Sequence, residues 1–179
     1  KYDPRKRVAL VVDEWGIWTD VEPGTNPGFL YQQNSLRDAL IAGTTLNIFN
    51  NHAERVRVAN LAQTVNVLQA IVLTKGSDML LTPTYYVFDL YKNHMDAKLL
   101  PLTITTPDYK NGSEVLPAVN ASATIDSTGK INITFVNIDA NNSVTVKTML
   151  SGKNFKVVKG RVLTSKNYTD INKFKKKNT

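Results

Sequence analysis

The chain has no cysteine among its 179 residues, which excludes disulfides, thiolate metal sites and a cysteine nucleophile. It has two histidines, His52 and His94, far apart in sequence, and no H-E-x-x-H, so no zinc site is expected. No run of 18 apolar residues occurs, so neither a transmembrane helix nor a membrane partner is expected. No Gly-rich phosphate loop of the G-x-G-x-x-G or G-x-x-x-x-G-K-[ST] form is present. Nothing in the chain calls for a cofactor. Acidic residues are the minority: 15 Asp and Glu stand against 22 Lys and Arg, a net charge of +7. Part of that excess sits in basic runs at the two chain ends, at Arg5-Lys6-Arg7 and at Lys173, Lys175, Lys176 and Lys177. Such runs read as solvated tails, and no nucleic-acid partner is expected.

The remaining composition is globular, 42% hydrophobic and 21% charged, in a length that fits one large domain or two small ones. The chain starts without Met or a signal-peptide pattern. A strand that reads as central begins only a few residues in. The expectation is a piece of a longer protein.

That strand is Val8-Ala9-Leu10-Val11-Val12, stopped by Asp13-Glu14-Trp15-Gly16. A short, unbroken, β-branched run predicts a strand buried on both faces, as in a parallel sheet. In α/β barrels, active sites gather at the C-terminal ends of such strands. Glu14 is therefore a candidate catalytic carboxylate; capping a loop or pairing with an arginine is the alternative. Asp13 points the other way by strand alternation and reads as structural. Residues 17–29 are irregular, with turn signals at Glu22-Pro23-Gly24 and Asn26-Pro27-Gly28. Trp15, Trp18 and Phe29 make this loop aromatic, suited either to the apolar face of a sugar ring or to covering the end of the sheet. Asp20 and Glu22, also in the loop, receive no role.

Ser35-Leu36-Arg37-Asp38 then predicts a capping box, with Asp in place of the usual Glu. Leu36, Ala39, Leu40, Gly43 and Leu46 follow at helical spacing, and the helix is predicted to end near Asn50-Asn51-His52. Residues 55–63 read as a second strand, which completes a βαβ unit with parallel pairing. Residues 65–73 continue as an extended or loop segment, stopped at Lys75-Gly76-Ser77-Asp78. A second helix is predicted over 83–96, with Pro83 in its first turn and Tyr85, Phe88, Leu90, Tyr91 and Met95 as its apolar positions. From residue 98 helical periodicity vanishes. Strand-type segments at 100–105, 118–125, 130–137, 143–149 and 156–163 predict an antiparallel sandwich or jelly roll. The boundary is placed near 97, and residues 167–179 read as a polar, basic, loosely packed tail.

Three runs then resemble a known family: Val12-Asp13-Glu14-Trp15-Gly16-Ile17-Trp18, Pro27-Gly28-Phe29-Leu30-Tyr31-Gln32-Gln33-Asn34-Ser35-Leu36-Arg37-Asp38-Ala39-Leu40, and Ala59-Asn60-Leu61-Ala62-Gln63-Thr64-Val65-Asn66-Val67-Leu68-Gln69. With Asn47-Ile48-Phe49-Asn50 between them, they are similar to the α-L-arabinofuranosidases of glycoside hydrolase family 51. The resemblance implies an α/β plus all-β chain. Residues 1–97 would be the C-terminal piece of a (β/α)8 catalytic barrel, strands seven and eight with their helices. Residues 98–179 would be a C-terminal β-sandwich domain with a basic tail. It implies hydrolysis of terminal α-L-arabinofuranosyl groups with retention, on an arabinose-containing poly- or oligosaccharide. Glu14 would be the nucleophile, with Gln63 and Trp18 as substrate-binding residues. The family's acid/base is the Glu of an Asn-Glu pair, and this chain contains no such pair. The chain alone is therefore expected to be inactive. The parent is expected to be a homo-oligomer. The rival expectation is a non-catalytic β-sandwich module for carbohydrate binding, structural support or oligomerisation.

Overall fold

The computed structural model describes residues 2–152, 156 and 159–175. The apolar run after residue 8 forms β1 (Leu10–Trp15), and residues in the second candidate strand form β2 (Val56–Leu61). The two pair in parallel, with Leu10 opposite Val56 and Trp15 opposite Leu61. They are joined by α1 (Leu36–Asn51), which completes the βαβ unit. At the start of α1, the Asp38 carboxylate accepts the Ser35 N–H and hydroxyl, both at 2.8 Å. The shorter Asp thus closes the capping box.

β1 is not buried on both faces. Among the described residues it has one strand neighbour, and Val8, Leu10 and Val11 are 63%, 51% and 56% exposed. A two-stranded sheet covers one edge of a strand and leaves the other edge open. The entry to β1 is clamped from below. Arg55 donates to the Asp3 carboxylate at 2.6 Å and to the Val8 carbonyl at 2.9 Å. The Val8 N–H, with help from those of Arg7 and the Arg55 side chain, holds the Asp3 carboxyl below its ordinary value.

α2 (Pro83–Tyr91) packs across α1. It stops sooner than its periodicity suggested and tightens into a 3-10 turn at Lys92–His94, leaving Met95 74% exposed. Ala39, Ala42, Val87 and Tyr91 form the core between the helices, with Trp15, Leu36, Leu46, Leu90 and Leu163 packed around it. Ahead of α2, the 75–78 turn joins β3 (Val72–Lys75) to β4 (Asp78–Leu81) as an antiparallel hairpin. Ala70, Leu73 and Leu80 make a second small core there, covered by Tyr31 and Phe174.

The second half is strand-rich and only partly as expected. β5 (Lys98–Leu99), β8 (Val119–Ile125) and β9 (Ile131–Asn137) form one antiparallel sheet in the order 5-8-9. The Asp126 carboxylate shapes the turn between β8 and β9 by accepting from the Thr128 and Lys130 N–H groups at 2.9 and 3.0 Å. A separate hairpin pairs β6 (Asp108–Asn111) with β7 (Glu114–Pro117) across the expected Asn111-Gly112 turn. Residues 100–105 are not a strand. The Leu100 N–H still donates to Ala123 at 2.9 Å, but Pro101 has no N–H to carry the ladder on. Residues 143–149 are not a strand either: their apolar alternation finds no partner backbone among the described residues. The candidate strand at 156–163 falls partly outside the described residues, and its described part is not a strand. Among the described residues this half thus holds a three-stranded sheet and a two-stranded hairpin.

The sheet and α1 meet through polar contacts. Asn47, fully buried, accepts from the Tyr91, Ser122 and Thr134 hydroxyls at 2.9, 2.8 and 2.8 Å. Asn50 donates to the Ser122 hydroxyl at 3.0 Å, and Asn51 to the Ala121 carbonyl at 2.9 Å. His94 closes this cluster, with Nδ1 2.8 Å from the Thr124 hydroxyl and Nε2 3.2 Å from that of Thr134. Burial lowers the His94 pKa below its ordinary 6.5. The folded state thus disfavours protonation, and unfolding takes up a proton. The stabilisation is fully present above about pH 6.5 and is lost as pH falls through the depressed folded-state value. Melting temperature is expected to drop as pH falls below about 6.5, and His94→Gln to flatten that drop. An equal drop in the variant would remove His94 as the cause.

The described part of the C-terminal tail, residues 167–175, is docked, not loose. The Asp170 and Tyr168 carbonyls accept the Leu36 and Arg37 N–H groups at 3.0 and 2.7 Å, the first free donors of α1. Asn172 donates to the Leu81 carbonyl at 2.8 Å, and Phe174 covers the second core.

Candidate functional site

Parallel pairing sets the ends of β1 and β2 side by side. The Ala62 N–H donates to the Trp15 carbonyl at 2.9 Å, one step beyond the last paired residues. Strand alternation then divides the side chains. Trp15 turns into the helical core, edge-on to Phe49 at 5.6 Å and stacked over Phe88 at 6.2 Å. Its indole belongs to packing and not to an aromatic platform. Glu14, one residue earlier, is exposed. Gln63 is also exposed, and its Nε2 donates to Glu14 Oε1 at 3.4 Å. The structure thus brings two of the sequence-predicted residues into contact.

Trp18 stands on the loop that follows and is 67% exposed. It borders an open hollow of about 660 Å³ with Thr19, Asp20, Val21, Pro27 and Leu30. Phe29, 70% exposed, borders a neighbouring hollow of about 550 Å³ with Tyr31, Asn66 and Thr74. Neither hollow is lined by Glu14 or Gln63. The arrangement offers a carboxylate with an amide beside it and exposed aromatic surface on the adjoining loop, a combination suited to a polar ligand with apolar faces.

Two residues that the sequence did not single out hold this loop. Gln32, 1% exposed, accepts the Thr19 N–H at 3.0 Å and donates to the Ile17 carbonyl at 3.1 Å. Gln69, fully buried, accepts the Ile17 N–H at 2.8 Å and donates to the Asp38 carbonyl at 2.8 Å and the Thr84 hydroxyl at 3.1 Å. The available signal was the Gln69 amide, which with Asn66 interrupts the apolar run 65–73. Among the described residues, no group of three or more His, Asp or Glu side chains is placed to hold a metal ion.

The model of the α-L-arabinofuranosidase C-terminal domain matches residues 13–179. The chain belongs to this family. The resemblance carried by the runs at 12–18, 27–40 and 59–69 therefore holds. An intracellular exo-α-L-arabinofuranosidase of Bacteroides ovatus is 45% identical over 179 residues, covering 99% of this chain and 35% of that protein. An intracellular exo-α-(1→5)-L-arabinofuranosidase of Streptomyces lividans is 28% identical over 160 residues, 83% of this chain and 24% of that protein. The crystal structure of the GH51 arabinofuranosidase from Xanthomonas axonopodis pv. citri superposes with a TM-score of 0.76 at 59% identity, covering 79% of this chain and 29% of that one. The arabinose complex of the Thermotoga maritima α-L-arabinofuranosidase superposes with a TM-score of 0.66 at 27% identity, over 78% and 31%. This arabinofuranosidase C-terminal domain thus spans about a third or less of the length of these relatives.

Proposed function

We propose that the chain is the C-terminal piece of a retaining α-L-arabinofuranosidase, and that it carries the enzyme's nucleophile, Glu14. The contact between Glu14 and Gln63, at neighbouring ends of two parallel strands, is the observation that carries the reading. In this reading residues 1–97 contribute the last two strands and helices of a (β/α)8 barrel, and residues 98–179 the β-domain that follows. Exposed Leu10, Val11 and Val58 support it, because apolar side chains on a two-stranded sheet are what further barrel strands would cover. The same open face is expected to make the isolated chain self-associate. A homo-oligomeric parent belongs to the same proposal.

The chemistry follows from the donor set. The Glu14 carboxylate attacks the anomeric carbon of a terminal α-L-arabinofuranosyl group, and the bond to the leaving oxygen breaks. A glycosyl ester forms with inversion. A second carboxyl group, about 5–5.5 Å from the first in retaining enzymes, protonates the leaving oxygen and then deprotonates the water that cleaves the ester. That group is supplied from outside this chain. Gln63 hydrogen-bonds the sugar and orients Glu14, while Trp18 offers its face on the leaving-group side. The substrate is an arabinose-containing poly- or oligosaccharide.

Proton NMR of the full-length enzyme acting on an aryl α-L-arabinofuranoside tests this. The α-anomer of arabinose is expected first, with the β-anomer growing in later by mutarotation. The β-anomer first would overturn retention. The isolated chain is expected to give no turnover, since general acid–base help alone is worth about 10²–10⁴-fold. Turnover by the chain, free of host enzyme, would place the acid/base within it.

A further inference from the structure

We propose that Gln69 is a positioning residue for this site, tying the loops after both strands to the starts of both helices. The inference rests on the reading of Glu14 and Gln63 as site residues. Gln69 touches neither, and it meets the backbone on each side of them. Its side-chain oxygen accepts the Ile17 N–H at 2.8 Å, three residues beyond Glu14 and one before Trp18. Its own N–H donates to the Ala62 carbonyl at 3.0 Å, the residue immediately before Gln63. Its side-chain nitrogen spans to the Asp38 carbonyl in the first turn of α1 and to the Thr84 hydroxyl in the first turn of α2. One residue, with no exposed surface, therefore ties four segments together, three through its side chain and the fourth through its own N–H.

The backbone has been cut to fit it. Gly16 has φ +145°, and a Cβ there would stand 3.3 Å from the Gln69 oxygen, 3.4 Å from its Cβ and 3.3 Å from the Ala62 carbonyl. Any side chain at 16 would be strained in that conformation and would push against the same amide. The glycine and the glutamine form one device: the loop turns sharply enough for the Ile17 N–H to reach inward. Gln32 secures the far side of the same loop through Thr19 and the Ile17 carbonyl. Ile17 is thus held by its N–H to one buried amide and by its C=O to another, between Glu14 and Trp18.

A buried side chain that bonds backbone can serve stability alone, so the test must separate the two roles. Gln69→Met keeps the length and removes the amide. In the full-length enzyme, at a temperature where its melting curve shows it folded, kcat/KM on an aryl α-L-arabinofuranoside is expected to fall on the order of 10–100-fold, mostly in kcat, because small displacements of reacting groups cost that much. Hydrogen exchange at the Ile17 amide is expected to quicken. Gln69→Glu gives the rescue arm. Its neutral acid accepts from Ile17 and donates to the Asp38 carbonyl, whereas its ionised form has no donor. Its kcat/KM relative to the unchanged enzyme is expected to rise as pH falls through the carboxyl's titration, which burial moves upward. This arm carries the test should Gln69→Met fail to fold. Unchanged kcat/KM in folded Gln69→Met, or a pH-independent ratio for Gln69→Glu, would overturn the positioning role. Glu14→Gly assayed in parallel keeps the two failures apart. If that variant is inactive while Gln69→Met is normal, only the positioning role falls. If Glu14→Gly is itself active, the reading of the site falls.

Discussion

Replacing Glu14 with Gly in the full-length enzyme is expected to lower turnover of an aryl α-L-arabinofuranoside on the order of 10³–10⁶-fold, with azide restoring part of it. The size follows from the proposed role. A residue that only lines the pocket loses a contact, whereas a nucleophile takes the covalent intermediate with it. Gly also leaves a space beside Gln63, whose Nε2 lies 3.4 Å from the carboxylate in the intact site. Azide entering that space attacks the anomeric carbon from the face Glu14 would have used. The product is a β-configured arabinosyl azide, one inversion from the α-substrate. An activated aryl leaving group departs without much acid help, so the rescue does not depend on the other carboxyl group. Loss of activity without rescue would assign Glu14 to binding. Near-normal activity would return it to a structural strand-end carboxylate.

The βαβ unit was legible because each signal has a local cause. A β-branched run, a capping box and a helical period depend on residues close in sequence, and β1, α1 and β2 fall where those signals end. Glu14 was a candidate by the same logic, as a polar residue that stops an apolar strand, and Gln63 became one through the resemblance; the structure sets the two in contact. The second half was less so. Residues 143–149 carry a strand's alternation, but alternation is a property of one segment and a ladder needs two. The 108–117 hairpin shows the reverse: its turn was read, while its strands Asp108–Asn111 and Glu114–Pro117 are four residues each, too short for an alternating stripe to announce them. Gln69 was illegible for a different reason. A buried amide and an exposed one are the same letter, and only its three side-chain bonds distinguish them. Trp15 and Trp18 make the same point. Both were candidates for a sugar platform, and strand direction sent one inward onto Phe49 and Phe88 and left the other outside.

The tail was misread because its lysines outweighed its apolar residues, and that difference can be measured. Deleting residues from 166 onward is expected to cost about 2–4 kcal/mol of stability. Phe174, half-buried over Ala70, Leu73 and Leu80, contributes about 1–2 kcal/mol of that. The Asn172 bond to Leu81 adds about 1 kcal/mol. The bonds from Leu36 and Arg37 to the tail carbonyls add the remainder, after the ordering entropy of the segment is subtracted. Charge reversal at Lys173 and Lys175 leaves those contacts in place. Both residues are exposed, and the Lys175 pair with Asp78 at 3.4 Å is a surface pair, so the double reversal is expected to stay within about 0.5 kcal/mol. Denaturant midpoints of the two variants separate the readings: a docked tail gives a large shift on deletion and almost none on charge reversal, and a solvated tail gives little on either. Hydrogen exchange locates the effect. The Leu36 and Arg37 amides should lose protection in the deletion variant, because they are the first donors of α1 and have no carbonyl of their own helix to bond. If both amides exchange at the intact rate and the midpoint is unmoved, the tail does not cap α1.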